Sequence, residues 1–332
     1  MAQDGGTLTE TIQNFAQHEN CIVGICDTTP LPHNVGRFTP FVSQNILKRS
    51  DPAANLPGAK SIIVVGVEAK LENFPPMPGG AGVLSVLGVN PDYHVAVRAL
   101  LKRLADELQK HTDFKYKILV DSSTLDERAL AVRAGLGFLG RNGLVISREY
   151  GSRFNIGLLL TDIPWDRGTD SVSTPPLDSC SLVCAPLDMD VLLSPLIEND
   201  SNIKLVTEEP SPCHNCRKCI SACPSGALSD SGEYNAARCI SYLTQKDDLT
   251  PEEAALMGRH LYGCDVCQNA CPFNRPQPPP WAMSEDWLTM SDDDFVNAYG
   301  HTAMLWRGVE LLRRNARVAS PATKSVSQGN LT

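Results

Sequence analysis

The sequence contains no long run of apolar residues and few aromatic ones. Among its 332 residues, no segment approaches the ~20 consecutive apolar residues of a membrane-spanning helix, and Phe, Trp and Tyr together make up only 6%. The polar beginning, MAQDGGTLTETIQN, has neither the apolar stretch of a secretory signal nor paired arginines. We therefore expect a cytoplasmic protein that does not enter a membrane.

Basic residues are also fewer than acidic ones. Lys and Arg number 29 against 38 Asp and Glu, which gives a formal net charge of -9. Binding a polyanion by bulk electrostatics requires a concentrated basic face, so contact with nucleic acid would depend on a local patch. The remaining composition, with 42% hydrophobic residues, is that of an ordinary globular chain. Wholesale disorder is therefore excluded.

No dinucleotide-binding fingerprint occurs in its usual context. Gly135, Gly137 and Gly140 have the G-x-G-x-x-G spacing, but in a Rossmann fold that motif connects a strand to a helix. Here the motif follows a predicted helix. We therefore interpret these glycines as a helix exit and a tight loop.

Strands and helices alternate over the first half of the chain. Asp92 precedes an amphipathic helix that carries Val97, Leu101, Leu104 and Leu108 on one face. This alternation predicts an α/β or α+β layered domain over residues 1–170, followed by a linker or insertion at 171–210. Apolar, often β-branched, runs predict strands at 21–26, 61–67, 118–120 and 156–163, the Gly- and Pro-rich segment 72–90 predicts a loop, and Ser122, Ser123 or Thr124 is expected to cap a helix that ends at Ala134.

The sequence is rich in cysteine, with 12 residues of which most lie in two groups. The first group has the C-x2-C-x2-C-x3-C-P pattern of a two-cluster ferredoxin, in which the fourth thiolate ligates the other cluster. The second group ends in C-x2-C-x3-C-P. The pattern therefore predicts two [4Fe-4S] clusters, the first held by Cys213, Cys216, Cys219 and Cys271 and the second by Cys223, Cys239, Cys264 and Cys267.

Two alternatives accompany this assignment. The same cysteines would form a pair of zinc knuckles, but zinc sites have no use for the two Cys-Pro steps. Outside the two groups, Cys180 and Cys184 form a C-x3-C pair, which would either hold a further metal or remain as free thiols.

Taken together, these motifs resemble the epoxyqueuosine reductase family of corrinoid-dependent iron–sulfur enzymes. The resemblance implies a nitroreductase-like corrinoid-binding domain at 1–170, a two-cluster ferredoxin-like module at 211–275 and a short helical tail at 276–332. The matching segments are LPGAKSIIVVGV (56–67), DYH (92–94), VDSSTLDERALAVRAGLGFLGRNGLVI (120–146), RCISYLTQ (238–245) and LYGCDVCQNACPFNR (261–275).

The resemblance further implies that epoxyqueuosine in transfer RNA is reduced to queuosine by electrons from a low-potential donor such as ferredoxin or flavodoxin. Asp121 matches the family's proton donor, a role for which burial is expected to raise the carboxyl pKa. Tyr93 and His94 are either a packed capping pair or cofactor contacts. Val145 and Ile156 would serve equally as core residues. The positions that match family contacts to cobalamin are Arg49, Asp121, Asn142, Val145, Ile156, Ser241 and Asp265.

Some features depart from the family pattern. VLSVLGVNP (83–91) is apolar where members usually place aromatic and basic residues, and only 57 residues follow Arg275, where many members continue into helical repeats that grip transfer RNA. Two other functions therefore stay open: reduction of a small molecule by dehalogenation or deoxygenation, and electron transfer without catalysis. Four arginines of the tail either contact phosphates or form a solvated helix face: Arg307, Arg313, Arg314 and Arg317.

Overall fold

The computed structural model describes residues 7–31, 45–70, 75–121, 125–164, 212–213, 215–230 and 234–320. The predicted linker at 171–210, with Cys180 and Cys184, and the predicted caps at 122–124 lie outside the described residues. Within them, no helix combines the length and the apolar character that crossing a bilayer requires.

A four-stranded antiparallel sheet forms the centre of the first half, in the order β1-β2-β7-β4. The central strand contains the β-branched run SIIVVGV, and both of its edges are paired. All four predicted strands are confirmed to within two residues. Because every pairing is antiparallel, the layered arrangement is α+β. The strands are β1 (Cys21–Asp27), β2 (Ser61–Glu68), β4 (Tyr116–Leu119) and β7 (Phe154–Thr161).

Helices cover both faces of this sheet, which explains why β2 is apolar at consecutive positions. Ile63 and Val65 pack with α1 (Leu8–Glu19) and α4 (Tyr93–Gln109), and the predicted apolar face of α4 is fully buried. On the other face, Ile62 and Val64 pack against α5 (Glu127–Arg133). Burial of these side chains at ~25 cal/mol per Å2 is the main force that holds the layers together.

The loop prediction for 72–90 is wrong over its second half, and so is the predicted cap of α5. Residues 81–84 form β3 (Ala81–Leu84), followed by α3 (Val86–Val89). The partners of β3 lie about 180 residues downstream: β8 (His260–Tyr262) and β9 (Trp281–Met283). The composition of residues 72–90 does not indicate such a long-range pairing. For α5, Asp126 is the residue that caps the helix, by accepting a hydrogen bond from Ala129 N.

The glycine motif forms a tight turn, as predicted. Gly135 ends α5 with φ +80°, and a Cβ on Gly137 would lie 2.2 Å from the Ile146 carbonyl oxygen. Only glycine permits that approach. The turn leads into a hairpin of β5 (Phe138–Leu139) and β6 (Val145–Ile146).

The cysteine-rich segment and the tail are built from short elements. The tail is not a separate appendage: its helices pack on β3 and β8 around Leu84, Tyr262 and the buried Trp287. The elements are α2 (Ile46–Ser50) in the first half and, in the second, α6 (Lys218–Ala222), α7 (Ile240–Leu243), α8 (Pro251–Met257), α9 (Val266–Asn269), α10 (Ser284–Thr289), α11 (Asp292–Tyr299) and α12 (Val309–Ala319).

Asn315 fastens α12 to the cysteine-rich segment. Its fully buried amide donates hydrogen bonds of 2.8 Å to the carbonyl oxygens of Thr244 and Leu261. Substitution of Asn315 by Ala leaves both carbonyls without a partner, at about 1–3 kcal/mol each. We expect the free energy of unfolding to fall by about 2–4 kcal/mol in urea titrations. The control Arg317→Ala, on the exposed face of α12, changes it by less than about 0.5 kcal/mol, and an equal effect of both variants would contradict this role.

Candidate active site

Asp121 follows the end of β4 in an unusual backbone conformation. Its φ is +42°, the left-handed region that non-glycine residues other than Asn and Asp seldom occupy. Its side chain is 66% exposed. Such strained residues cluster at functional sites, and here the strain presents a carboxylate to solvent at the edge of the sheet.

The first turn of α4 supplies the partners of this carboxylate. The Tyr93 hydroxyl donates to Asp121 Oδ2 at 2.6 Å, and His94 Nε2 lies 3.6 Å from the same oxygen. On its other side, His94 Nδ1 lies 2.7 Å from Asp92 Oδ1. Asp92 also caps α4 by accepting from His94 N at 2.9 Å, so the residue that starts the helix also orients the imidazole. Tyr93 and His94 are therefore both a packed pair and part of the site.

These contacts shift the pKa values in a direction that corrects the expectation from sequence. The nearby His94 imidazole and the Tyr93 hydroxyl lower the pKa of Asp121 below its ordinary value, whereas burial was expected to raise it. The same contact with Asp121 raises the pKa of His94. Burial, reinforced by Asp121, raises the pKa of Tyr93. The site therefore shares a proton among three side chains, with the imidazole as its most basic member.

The tail forms one wall of this site. Asp92 N donates to the His301 carbonyl oxygen at 2.8 Å, directly before Tyr93. A short 3-10 helix at 303–307 follows and packs against α3. It carries Trp306, which is 52% exposed and has the Arg307 guanidinium 4.9 Å from its ring centroid. Burial raises the pKa of Tyr262 to about 12, while a hydrogen bond with the Trp306 side chain lowers it and the charge of Asp121 raises it further.

The structure brings the eight predicted cluster cysteines together as two crossed sets. Cys213, Cys216, Cys219 and Cys271, here called the first set, line one cavity. That cavity is completed by Arg141, Asn142, Ile146, Pro272 and Phe273.

The other four thiols, here called the second set, lie near one another and, through Cys267, near Cys219 of the first set. Besides burial, Cys239 and Cys223 raise the pKa of Cys264, to about 12, and Cys264 and Cys239 raise that of Cys267. A thiol binds a metal as the thiolate, so these thiols release their protons when a metal centre binds. The second set is Cys223, Cys239, Cys264 and Cys267.

The two sets have the ligand number of two cubane clusters. Each set contains four cysteines, and one [4Fe-4S] cluster takes four thiolates. Among the described residues, no three His, Cys, Asp or Glu side chains form a group that could hold a single metal ion.

Sequence comparison agrees with this geometry. Residues 212–274 match a family described as "4Fe-4S double cluster binding domain", and residues 49–122 match "Epoxyqueuosine reductase QueG, DUF1730". Epoxyqueuosine reductase from Bacillus subtilis (strain 168) is 31% identical over 319 residues, which cover 91% of this chain and 73% of the relative. The chain belongs to the epoxyqueuosine reductase family. The resemblance and the presence of a double [4Fe-4S] cluster domain are confirmed, and the chain is an oxidoreductase of this family.

Other epoxyqueuosine reductases are similarly close. The enzyme from Staphylococcus aureus (strain NCTC 8325 / PS 47) is 33% identical over 310 residues, covering 86% of this chain and 70% of the relative. The structure of epoxyqueuosine reductase from Streptococcus thermophilus superposes with a TM-score of 0.72 at 30% identity, over 93% of this chain and 79% of that one. A crystal structure of epoxyqueuosine reductase with a tRNA-TYR epoxyqueuosine-modified tRNA stem loop superposes with a TM-score of 0.74 at 27% identity, over 94% and 81%.

The predicted cofactor contacts are distributed around both parts of this epoxyqueuosine reductase fold. Arg49 lies at the start of α5, since its carbonyl accepts from N of the N-cap residue Asp126 at 3.2 Å. Val145 is buried in the core, and Ile156 packs at its edge, as the core alternative requires. The Ser241 carbonyl accepts hydrogen bonds from Thr244 and Gln245.

Asp265 is nearly fully buried and joins the second cysteine set to α3. Its Oδ2 accepts from Val86 N at 2.7 Å. Burial raises the pKa of this carboxyl, against the lowering effect of Arg153. Asp265 therefore holds the second set close to the wall that carries Trp306.

Asn142 shows that the first-set cavity suits a bound group. Its side chain is 7% exposed and lines the cavity, and its Nδ2 is a buried donor without a hydrogen-bond partner. Buried polar groups are normally satisfied. An acceptor on a cluster or on a corrinoid would satisfy this amide, so the residues present fit the cofactors of the family.

The arginines of the tail are tied within the protein. Arg313 pairs with Asp292 at 2.6 Å and Glu310 at 2.8 Å, Arg307 pairs with Asp247, and Arg314 donates to backbone carbonyls. Neither expectation for the tail arginines, a phosphate-binding patch or a solvated face, describes these three residues. Arg307 and Arg314 hold the tail against the cysteine-rich segment, and Arg313 joins α12 to α11 within the tail.

Sequence reasoning missed Trp306 and also Arg128. The guanidinium of Arg128 lowers the pKa of Asp121, and Arg128 is electrostatically coupled to Tyr234, which contacts Cys239. The only sequence signal for Arg128 is its place seven residues after Asp121 in the matching segment. Trp306 carries no local signal, because its position depends on how the tail folds back.

Proposed function

We propose that this protein reduces epoxyqueuosine in transfer RNA to queuosine, with two [4Fe-4S] clusters and cobalamin as cofactors. One observation carries the proposal: an exposed Asp121 carboxylate held by Tyr93 and His94 faces a wall fastened to the module that binds the clusters. The epoxide accepts two electrons and two protons and becomes an alkene, and the oxygen leaves as water. A localisation in the cytoplasm accords with described cysteines that are all free of disulfides.

The roles of individual residues follow from the geometry. We assign Cys213, Cys216, Cys219 and Cys271 to the first cluster and the second set to the other, and cobalamin to the surface near Asp121 and Asp265. When bound, cobalamin supplies a strongly reducing metal centre for C–O cleavage. The imidazolium of His94 holds the proton, and the Asp121 carboxylate, 3.6 Å away, relays it through Oδ2 to the departing oxygen. The contact with Asp121 raises the pKa of His94, which favours the imidazolium form that holds this proton.

The nucleic-acid substrate has support outside the tail arginines. A related enzyme of 27% identity has been crystallised with a modified tRNA stem loop. In this chain, Trp306 offers an exposed ring beside the site. Aromatic rings of this kind stack unpaired bases at ~1–3 kcal/mol per base.

The proposal is tested with anaerobically reconstituted protein and an RNA stem loop that contains epoxyqueuosine. We expect about eight iron ions and about one cobalamin per chain, and conversion of the modified base to queuosine measured by mass spectrometry of the digested RNA. Clusters without cobalamin affinity would instead identify an electron carrier. Full cofactor content without conversion would indicate a small-molecule substrate, and unchanged queuosine in a strain that lacks this gene and any redundant enzyme would contradict the proposal.

A further inference from the structure

The surface beside the first cysteine set differs in charge from the rest of the molecule. The chain as a whole carries -9, yet this surface displays three cations and two apolar side chains. Among the described residues, Arg141, Lys218 and Arg275 form no ion pair with a carboxylate, whereas the nearby Arg217 is paired with Asp230. The surface, here called the basic face, consists of Arg141, Lys218, Pro272, Phe273 and Arg275.

The basic face directly overlies the first set. Arg141, Pro272 and Phe273 line the cavity of the first set, and Arg141 donates to the Cys216 carbonyl oxygen at 3.2 Å. Phe273 is 40% exposed and rests edge-on against Phe138, with ring centroids 5.3 Å apart. Pro272 is likewise exposed. The barrier between the first cluster and solvent is therefore one layer of side chains.

The second set is connected to the active-site wall. Asp265, next to Cys264, accepts a hydrogen bond from Val86 N in α3, and α3 packs against the 3-10 helix that carries Trp306. We therefore expect electrons to enter at the first set and to pass through the second set toward Asp121.

We propose that the basic face is the docking surface of a small acidic one-electron carrier protein. The inference rests on the proposed function, which requires two electrons per turnover. At each encounter the carrier is oxidised by one electron and the first cluster is reduced by one. The net negative charge of the chain repels an acidic carrier elsewhere, so the long-range field directs it to the basic face. The exposed Phe273 and Pro272 provide the desolvated contact at its centre.

Transfer RNA is the other polyanion that three cations would attract. The observations favour the carrier, because an RNA substrate must reach Asp121, whereas Arg141, Pro272 and Phe273 of the basic face line the cavity of the first set. Three unpaired cations also suffice for a transient encounter with a protein but provide few of the phosphate contacts that an RNA stem requires.

The test uses the double variant Lys218→Glu/Arg275→Glu in the reconstituted holoprotein. Stopped-flow reduction of the clusters by reduced flavodoxin at low ionic strength should slow at least about tenfold, and salt should remove the difference from the unaltered protein. Iron content and reduction by photoreduced 5-deazariboflavin, a small uncharged reductant, should stay unchanged.

The matched control is Lys60→Glu/Lys115→Glu. Both lysines are exposed at the far end of the sheet, where they bond to Thr161 and Asp162, and the pair changes the net charge by the same amount. Equal slowing in both variants, no slowing in either, or a raised KM for the RNA with unchanged flavodoxin kinetics would overturn the docking surface. Cluster reduction is measured without RNA, so failure of the RNA substrate leaves this test intact.

Discussion

Asp121→Asn lowers kcat for the epoxide by about 10²–10⁴-fold while both clusters and the cobalamin stay bound. That range is typical of losing a positioned general acid. The substitution is nearly isosteric, and Asn tolerates the left-handed backbone that Asp121 adopts at φ +42°. The amide oxygen still accepts from Tyr93, so the variant removes the carboxylate that passes the proton on and little else. Single-turnover conversion of the modified stem loop, with iron and cobalamin analysis of the same sample, measures the effect.

The matched control for this variant is Asp162→Asn. Asp162 lies at the opposite end of the sheet, where its carboxylate accepts from Lys115 N at 2.9 Å. Its replacement removes the same charge and should leave kcat within about twofold. If Asp121→Asn retained full activity, or if both variants lost activity equally, the assignment of Asp121 as proton donor would be wrong.

Cys271→Ser abolishes turnover by removing the same cluster as Cys216→Ser. The two residues are 55 positions apart, but both line the cavity of the first set. A lost thiolate leaves three ligands for a cubane that needs four. We expect each variant to lose about half of the iron and to show the same electron paramagnetic resonance spectrum after reduction, because the intact second cluster is the same in both.

Substitutions in the second set test the other cluster in the same way. Cys223→Ser and Cys264→Ser should share a spectrum that differs from that of the first pair, and the buried Cys21, which packs in the core, should tolerate Ala with full iron content. If Cys271→Ser matched Cys264→Ser instead, the ligands would follow sequence order and the crossed assignment would fail.

The position of Asp121 was predictable from the sequence, but its environment was not. The matching segment after β4 identified the residue, and its position at a strand end was predicted correctly. Its environment was not: the carboxylate is exposed, and its pKa is lowered by His94 and Tyr93. These partners lie about 28 residues earlier on a helix whose apolar face was predicted correctly. Packing with α1 helps to set the angle at which α4 crosses the sheet. That angle decides which carboxylate the first turn of α4 contacts.

The charge of the tail surface was likewise not predictable from the tail sequence alone. A helix with four arginines predicts a basic surface only if its neighbours are neutral. The structure places Asp247, Asp292 and Glu310 against these arginines, and Asn315 within reach of two buried carbonyls. In the sequence these arginines are candidate RNA contacts. In the structure they stabilise the fold, because their partners come from other parts of the chain.

The sequence by itself determined the strands of the main sheet, the apolar face of α4, the two cysteine groups and the family. These features depend on contacts between near neighbours: β-branched runs favour extended backbone, the 3.6-residue period places α4's apolar residues on one face, and cluster ligands keep their spacing because the turn between them must wrap a cubane. Only the tertiary structure decided that β3 joins the tail, that His94 meets Asp121, and that the basic face covers the first set. Those contacts join segments far apart in sequence, and their free energy comes from surfaces that exist only once the chain has folded.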